Sequence, residues 1–278
     1  MPLLELIDHR TLLSWAALFY ALAFGFALLY LLLGRRYPGT PLTALIALGF
    51  ILQTLGLYRI GMENGSCPLS SPFELVQFVS WSAILLYLIV GPAYRMSLLG
   101  FFSAGLAAGF SLFSLFTPGW DTPPPQEERS ILPWIEAHAS IALFSYGVFA
   151  MLALTSAMYL LQTYGLQHRR FEPLFRFLPS IVQTDRISRR LLWIGVAVLT
   201  LSLSLVLIYG QDSLGSISYF KLIATSAVWL SATLVLVLHL SRRLLTAQFA
   251  WVCIGLFILA LFSLWPIGDP NSAPSLAL

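Results

Sequence analysis

Eight stretches of about twenty mostly uncharged, apolar residues follow one another along the 278 positions, and this pattern leaves few folds open. A hydrocarbon layer about 30 Å thick is crossed by about 20 helical residues. Within that layer backbone N–H and C=O groups find no water, so only helices or closed barrels cross it. Runs of this length predict helices, over 11–33, 41–58, 72–90, 97–116, 137–161, 191–209, 219–240 and 247–265. The expected fold is all-α: a polytopic membrane helix bundle forming a single integral membrane domain over 1–278. The first span follows MPLLELIDHR with no small-residue cleavage site behind it, and reads as a retained helix.

Charge placement gives an orientation. Eleven of the fifteen Lys and Arg residues fall in alternate connections, at Arg35, Arg36, Arg95, Arg169, Arg170, Arg176, Arg186, Arg189, Arg190, Arg242 and Arg243. The other four, Arg10, Arg59, Arg129 and Lys221, lie on the opposite side. Short basic loops stay cytoplasmic, so both termini are expected outside, in a bacterial inner (plasma) membrane. The basic residues are scattered over several loops, which argues against nucleic acid as a partner; membrane lipid is the expected surroundings. Charged residues make up only 10% of the chain, so each one placed in or near a span carries weight.

Four connections interrupt the helices. RIGMENGSCPLSS (59–71) is rich in turn formers, and the segment 117–136 holds Pro123, Pro124 and Pro125 among acids. The inner connection 162–190 carries FEPLFRFLPSIV, which suits an interfacial segment, with Thr184 or Asp185 able to cap the next helix. YGQDSLGSISY (209–219) is a short outer link. Cys67 and Cys253 fall too far apart along the membrane normal to pair, and read as two free thiols.

The polar residues near the spans are few. His138 opens the fifth span after Trp134 and Glu136, above the small residues Ala142 and Ser145. Two readings fit it: a neutral imidazole ligating a flat macrocycle such as haem, or an interfacial side chain that reaches water. Glu74, in SPFELVQF, suits the first turn of the third span, where the helix dipole and Arg59 would favour it; contact with a ligand is the alternative. His239, beside Arg242 and Arg243, reads as a helix-terminus group, and His9 as an exposed one. Nothing in the chain carries the spacing of a hydrolase, a phosphate-binding loop or a zinc cage, and no catalytic residue is assigned: bond-making chemistry is not expected.

Two passages resemble a known family. QTLGLYRIGMENGSCPLSSPFELVQFVSW (53–81) is similar to the second-to-third-helix region of the cytochrome c assembly membrane proteins, the CcsA-type haem-handling family. WIEAHASIALFSYGVFAMLALTSAMYLLQ (134–162) resembles that family's element with a histidine at an outer helix start, and LPSIVQTDRISRRLLWIGVAVLTLSL its connection into the sixth helix. The likeness covers about 40–265. It implies inner-membrane haem handling in cytochrome c biogenesis, with haem bound or presented at the outer leaflet, and other assembly proteins as partners. It implies His138 as a ligand to haem iron, with Trp134, Tyr146, Glu74 and Trp81 as pocket walls; a second ligand would be exogenous, or His9 or Met62 from the outer loops. The chain departs from the family in three places. The Trp-Gly-x-x-Trp-x-Trp-Asp motif between helices six and seven reads YGQDSLGSISYFKL, the helix-two histidine is Gln53, and the last outer histidine is replaced by LWPIGDPNSAP. These departures resemble the branch typified by HemX and YpjD-like proteins. The rival expectation is a cofactor-free scaffold or regulator of haem synthesis acting through 162–190; a secondary transporter fits less well, for want of broken, polar midplane helices.

The orientation has a direct test: a membrane-impermeant maleimide is expected to label Cys67 in intact cells. Labelling only after permeabilisation would reverse the assignment.

Overall fold

The computed structural model describes residues 8–34, 38–94, 97–121, 133–168, 180–210, 219–241, 243–244 and 246–264, without the side chains of 92–94, 97, 168 and 219–221. The described residues form eight helices: α1 His9–Leu32, α2 Gly39–Asn64, α3 Pro72–Tyr94, α4 Ser97–Phe116, α5 Pro133–His168, α6 Ile181–Tyr209, α7 Tyr219–Leu240 and α8 Thr246–Leu264. All eight are long and apolar enough to cross a membrane. The protein is therefore a multi-pass membrane bundle, and an even number of crossings puts the start of α1 and the end of α8 on one side.

Burial ranks the helices. The apolar window of α5 is 78% buried and that of α3 61%, against 28% for α7, so α5 is the central post and α7 a lipid-facing flank. α1, α2, α3 and α4 pack into one half, α6, α7 and α8 into the other, and α5 joins them by lying against both α3 and α6. Where α5 meets α3 the backbones come close. A Cβ on Gly147 would overlap the Ser82 hydroxyl and stand 2.9 Å from the backbone nitrogen of Ala83. Small residues of this kind allow membrane helices to associate by close van der Waals contact, because lipid gives no hydrophobic drive between spans.

Local chemistry sets the helix ends. α2 stops where Gly65 takes the left-handed conformation, φ 64°, and donates back to the Gly61 carbonyl. At the start of α3 the Glu74 N–H donates to Ser71 Oγ at 3.2 Å, with Pro72 in the first turn, where its missing N–H costs nothing. α6 begins at Ile181, capped by Ser180, whose hydroxyl accepts from the Gln183 N–H. This corrects the expected start at 191 and the expected cap at Thr184 or Asp185. Thr184 is instead fully buried inside the helix, and α5 likewise runs from 133 to 168 instead of 137–161. At 1.5 Å per residue α5 rises about 54 Å, well past a hydrocarbon layer. Much of what reads as the connection 162–190 is thus helix, extending the α5–α6 pair beyond the membrane. The aromatic-proline stretch 171–177 and the proline run 123–125 lie outside the described residues.

Replacing Gly147 by Val is expected to destabilise the protein by about 1–3 kcal/mol, since α3 backbone must move to admit the side chain. Thermal unfolding in detergent measures this, with Gly255→Ala as the control, a position with nothing within 4 Å of a built Cβ. Equal unfolding temperatures for the two variants would contradict close α3–α5 packing at this point.

Candidate functional site

The imidazole of His138 sits one and a half turns inside α5, half-buried against α6. Its Nδ1 lies 2.8 Å from the backbone carbonyl oxygen of Ser202. A carbonyl only accepts, so the proton of the neutral ring is on Nδ1, and Nε2 carries the lone pair. The Ser202 hydroxyl is also 2.8 Å from Nδ1 and donates to the backbone carbonyl of His138 at 2.9 Å. Side chain and backbone of one residue thus hold both parts of the other. Nε2 has no hydrogen-bond partner among the described residues. Donating one ring N–H to a carbonyl while the other nitrogen stays open is the arrangement of metal-ligating histidines.

The five residues expected to share one outer pocket fall into two groups. At 100° per residue, positions 136 and 138 of a helix point about 200° apart. Trp134, a turn before His138, shares its side of α5. Tyr146, two turns further in, is 2% exposed and its hydroxyl is 2.8 Å from the Ser263 hydroxyl of α8. The opposite side of α5 faces α3. There Glu136 accepts from the Cys67 N–H at 3.3 Å and joins Trp81, Phe78, Tyr58, Met62 and Cys67 around a mainly apolar hollow of about 460 Å³. Trp81 donates its indole N–H to Thr54 at 2.9 Å. Glu74, 5% exposed, accepts from the Ser70 N–H at 2.7 Å and from the Asn64 amide at 3.5 Å. Its carboxylate closes the turn between α2 and α3, and Arg59 pairs with Glu63 at 3.1 Å. Of the candidate second ligands, Met62 lines the hollow on the α3 side, and His9 is held by Glu63 at 2.9 Å. Both stand away from the α6 side of α5.

Gln53 occupies a different setting. It is fully buried, accepts from the Tyr20 hydroxyl at 2.8 Å, and donates to the Gln77 side chain at 2.8 Å and the Gln77 carbonyl at 3.1 Å. Gln77 in turn donates to Ser114 at 2.9 Å. The hydrogen-bonding capacity of Gln53 is spent inside α1–α4, as burial of an amide in hydrocarbon demands. No three His, Cys, Asp or Glu side chains converge among the described residues. Cys67 is exposed and Cys253 buried, both free.

Residues 69–265 match the sequence profile of the cytochrome C assembly protein family. The chain belongs to that family. Among its relatives, Protein HemX of Brevibacillus brevis is 34% identical over 189 residues, 67% of each chain. Protein HemX of Bacillus subtilis is 25% identical over 229 residues, 81% of this chain and 82% of its own. Cytochrome c biogenesis protein CcsA of Trichormus variabilis is 28% identical over 175 residues, and the match spans 47% of that longer protein. In this member of the cytochrome c assembly family, the residue that composition and resemblance leave unseen is Ser202. It stands in the run LTLSLSL, where Thr200 and Ser204 carry the same kind of hydroxyl; only the register against α5 distinguishes it. A carbonyl acceptor has no sequence signal at all.

Around Cys67, burial first and then the Glu136 carboxylate push the thiol above its ordinary pKa, while a contact with Ser140 works the other way. The thiolate fraction controls alkylation, so the maleimide rate should rise with pH to a midpoint above that of a free thiol. Glu136→Gln removes a negative charge beside the thiolate and should lower that midpoint. An unmoved midpoint in the variant would contradict the placement of Glu136 at Cys67.

Proposed function

We propose that this protein binds haem at the outer leaflet of a bacterial inner membrane and holds or presents it during cytochrome c biogenesis, with the His138 Nε2 as an axial ligand. The observation that carries the reading is the Ser202 carbonyl on Nδ1, which leaves Nε2 open with the ring fixed. Membership of the cytochrome c assembly family and relatives named for cytochrome c biogenesis support the same setting. So does the arginine bias, from which an outer start of α5 is expected.

Haem bound there would supply an iron that takes the imidazole lone pair. The residues of this chain do the rest. Ser202 holds the ring proton and the ring plane. Trp134 offers an aromatic wall on the same side of α5. Tyr146, tied to Ser263, fixes α8 beneath it. Glu74 acts at one remove, by fixing the turn that carries Cys67 and the hollow, and Trp81 walls that hollow. The action is binding and presentation, without bond-making by the protein, and other assembly proteins are its partners. A second reading, a scaffold or regulator free of cofactor, is favoured by one feature: α5 and α6 continue as paired helices past the membrane, joined by Gln162 and Thr184 at 3.5 Å.

Purification in detergent after expression with ample haem separates the two. The wild type is expected to show a Soret band, and His138→Ala to retain about tenfold less haem or lower still. A colourless, folded wild type would overturn the haem reading and leave the scaffold.

A further inference from the structure

α6 carries one exposed stripe along its length, and its chemistry changes part-way. Leu201, Ala197, Trp193, Arg189, Arg186 and Val182 follow each other at three- and four-residue steps, all exposed, while Leu191, Gly195 and Ser202 are buried. From Tyr209 to Arg189 the helix rises about 30 Å, the thickness of the hydrocarbon layer. With Tyr209 at one boundary, Arg186, Arg189 and Arg190 stand at the other. Trp193 lies just inside them, half exposed, where interfacial tryptophans gather. The arginines therefore leave the helix on the side that touches lipid tails, at the depth of the headgroups. Arg189 is 45% exposed, and its ion pair with Asp185 is 4.0 Å long, too long for a hydrogen bond.

We propose that Arg186, Arg189 and Arg190 form a binding site for an anionic phospholipid, whose phosphate is held by the guanidinium groups and whose acyl chains lie along Trp193, Ala197 and Leu201. A planar guanidinium matches two phosphate oxygens at once, which a point charge does not. Continuity of the stripe accommodates the acyl chains: one molecule bridges the cationic and apolar parts without turning a corner. The site lies about 20 Å along α6 from the Ser202 that holds His138, and it stands or falls independently of the haem reading.

Native mass spectrometry of the full-length protein, equilibrated with equal amounts of phosphatidylglycerol and phosphatidylcholine, tests it. Wild type is expected to retain phosphatidylglycerol preferentially. The variants Arg186→Gln, Arg189→Gln and Arg190→Gln should each reduce that preference at least twofold, and the triple variant about tenfold. Millimolar inorganic phosphate should leave the bound lipid in place. Three results would overturn the proposal: a wild type without preference, single variants that all match wild type, or displacement by inorganic phosphate. The first and second are read from proteins that keep most of their arginines, so misfolding of the triple variant does not obscure the outcome.

Discussion

The pairing of α5 with α6 is the contact that sets the position of everything else in the bundle. The two helices run antiparallel, and four contacts mark their register: His138 with Ser202, Phe149 against Gly195, Thr155 with Ser188, and Gln162 with Thr184. Numbers rise along one helix as they fall along the other, over about 36 Å of α5. In a lipid solvent apolar area does not distinguish one sliding position from another, since a leucine is as well placed against lipid as against a helix. Hydroxyls, an amide and an imidazole do distinguish them, because each would lose its partner in any other register. The same seam sets the ring of His138 about 20 Å along α6 from Arg189.

The two halves of the bundle use their polar groups differently. In α1–α4 an amide network centred on Gln53 and Gln77 is closed, its partners being internal. In α5–α8 the polar groups hold helices in place, yet the His138 Nε2 is left open, as is the buried Nδ1 of His239. A closed network fixes shape; an open lone pair on a fixed ring is a site. Gln53 of α2 therefore belongs to the scaffold in this chain.

Much of the fold is legible in the sequence, because bilayer thickness turns hydropathy into helix count. All eight spans can be read this way, and the Ser-Pro-x-Glu start of α3 and the turn at Gly65 follow from capping chemistry. The extensions of α5 and α6 cannot be read, since helix beyond the membrane is as polar as loop; Gln162, Thr184 and Arg186 look the same in either state. At the site, His138 stands out as a rare imidazole near a span. Its partner does not, because the acceptor is a main-chain carbonyl. Grouping His138 with Trp81 and Glu74 follows resemblance and neglects helical period: Glu136 and His138 are near neighbours in sequence and face opposite halves of the bundle.

If α6 fixes His138 as the neutral tautomer protonated at Nδ1, Nε2 is available to a metal. Solid-state ¹⁵N NMR of histidine-labelled protein in lipid bilayers, assigned by comparison with His138→Gln, distinguishes the protonation states of the ring. The expected spectrum contains one ring with a protonated Nδ1 and an unprotonated, pyridine-type Nε2. A ring protonated at Nε2, or an imidazolium at neutral pH, would contradict it.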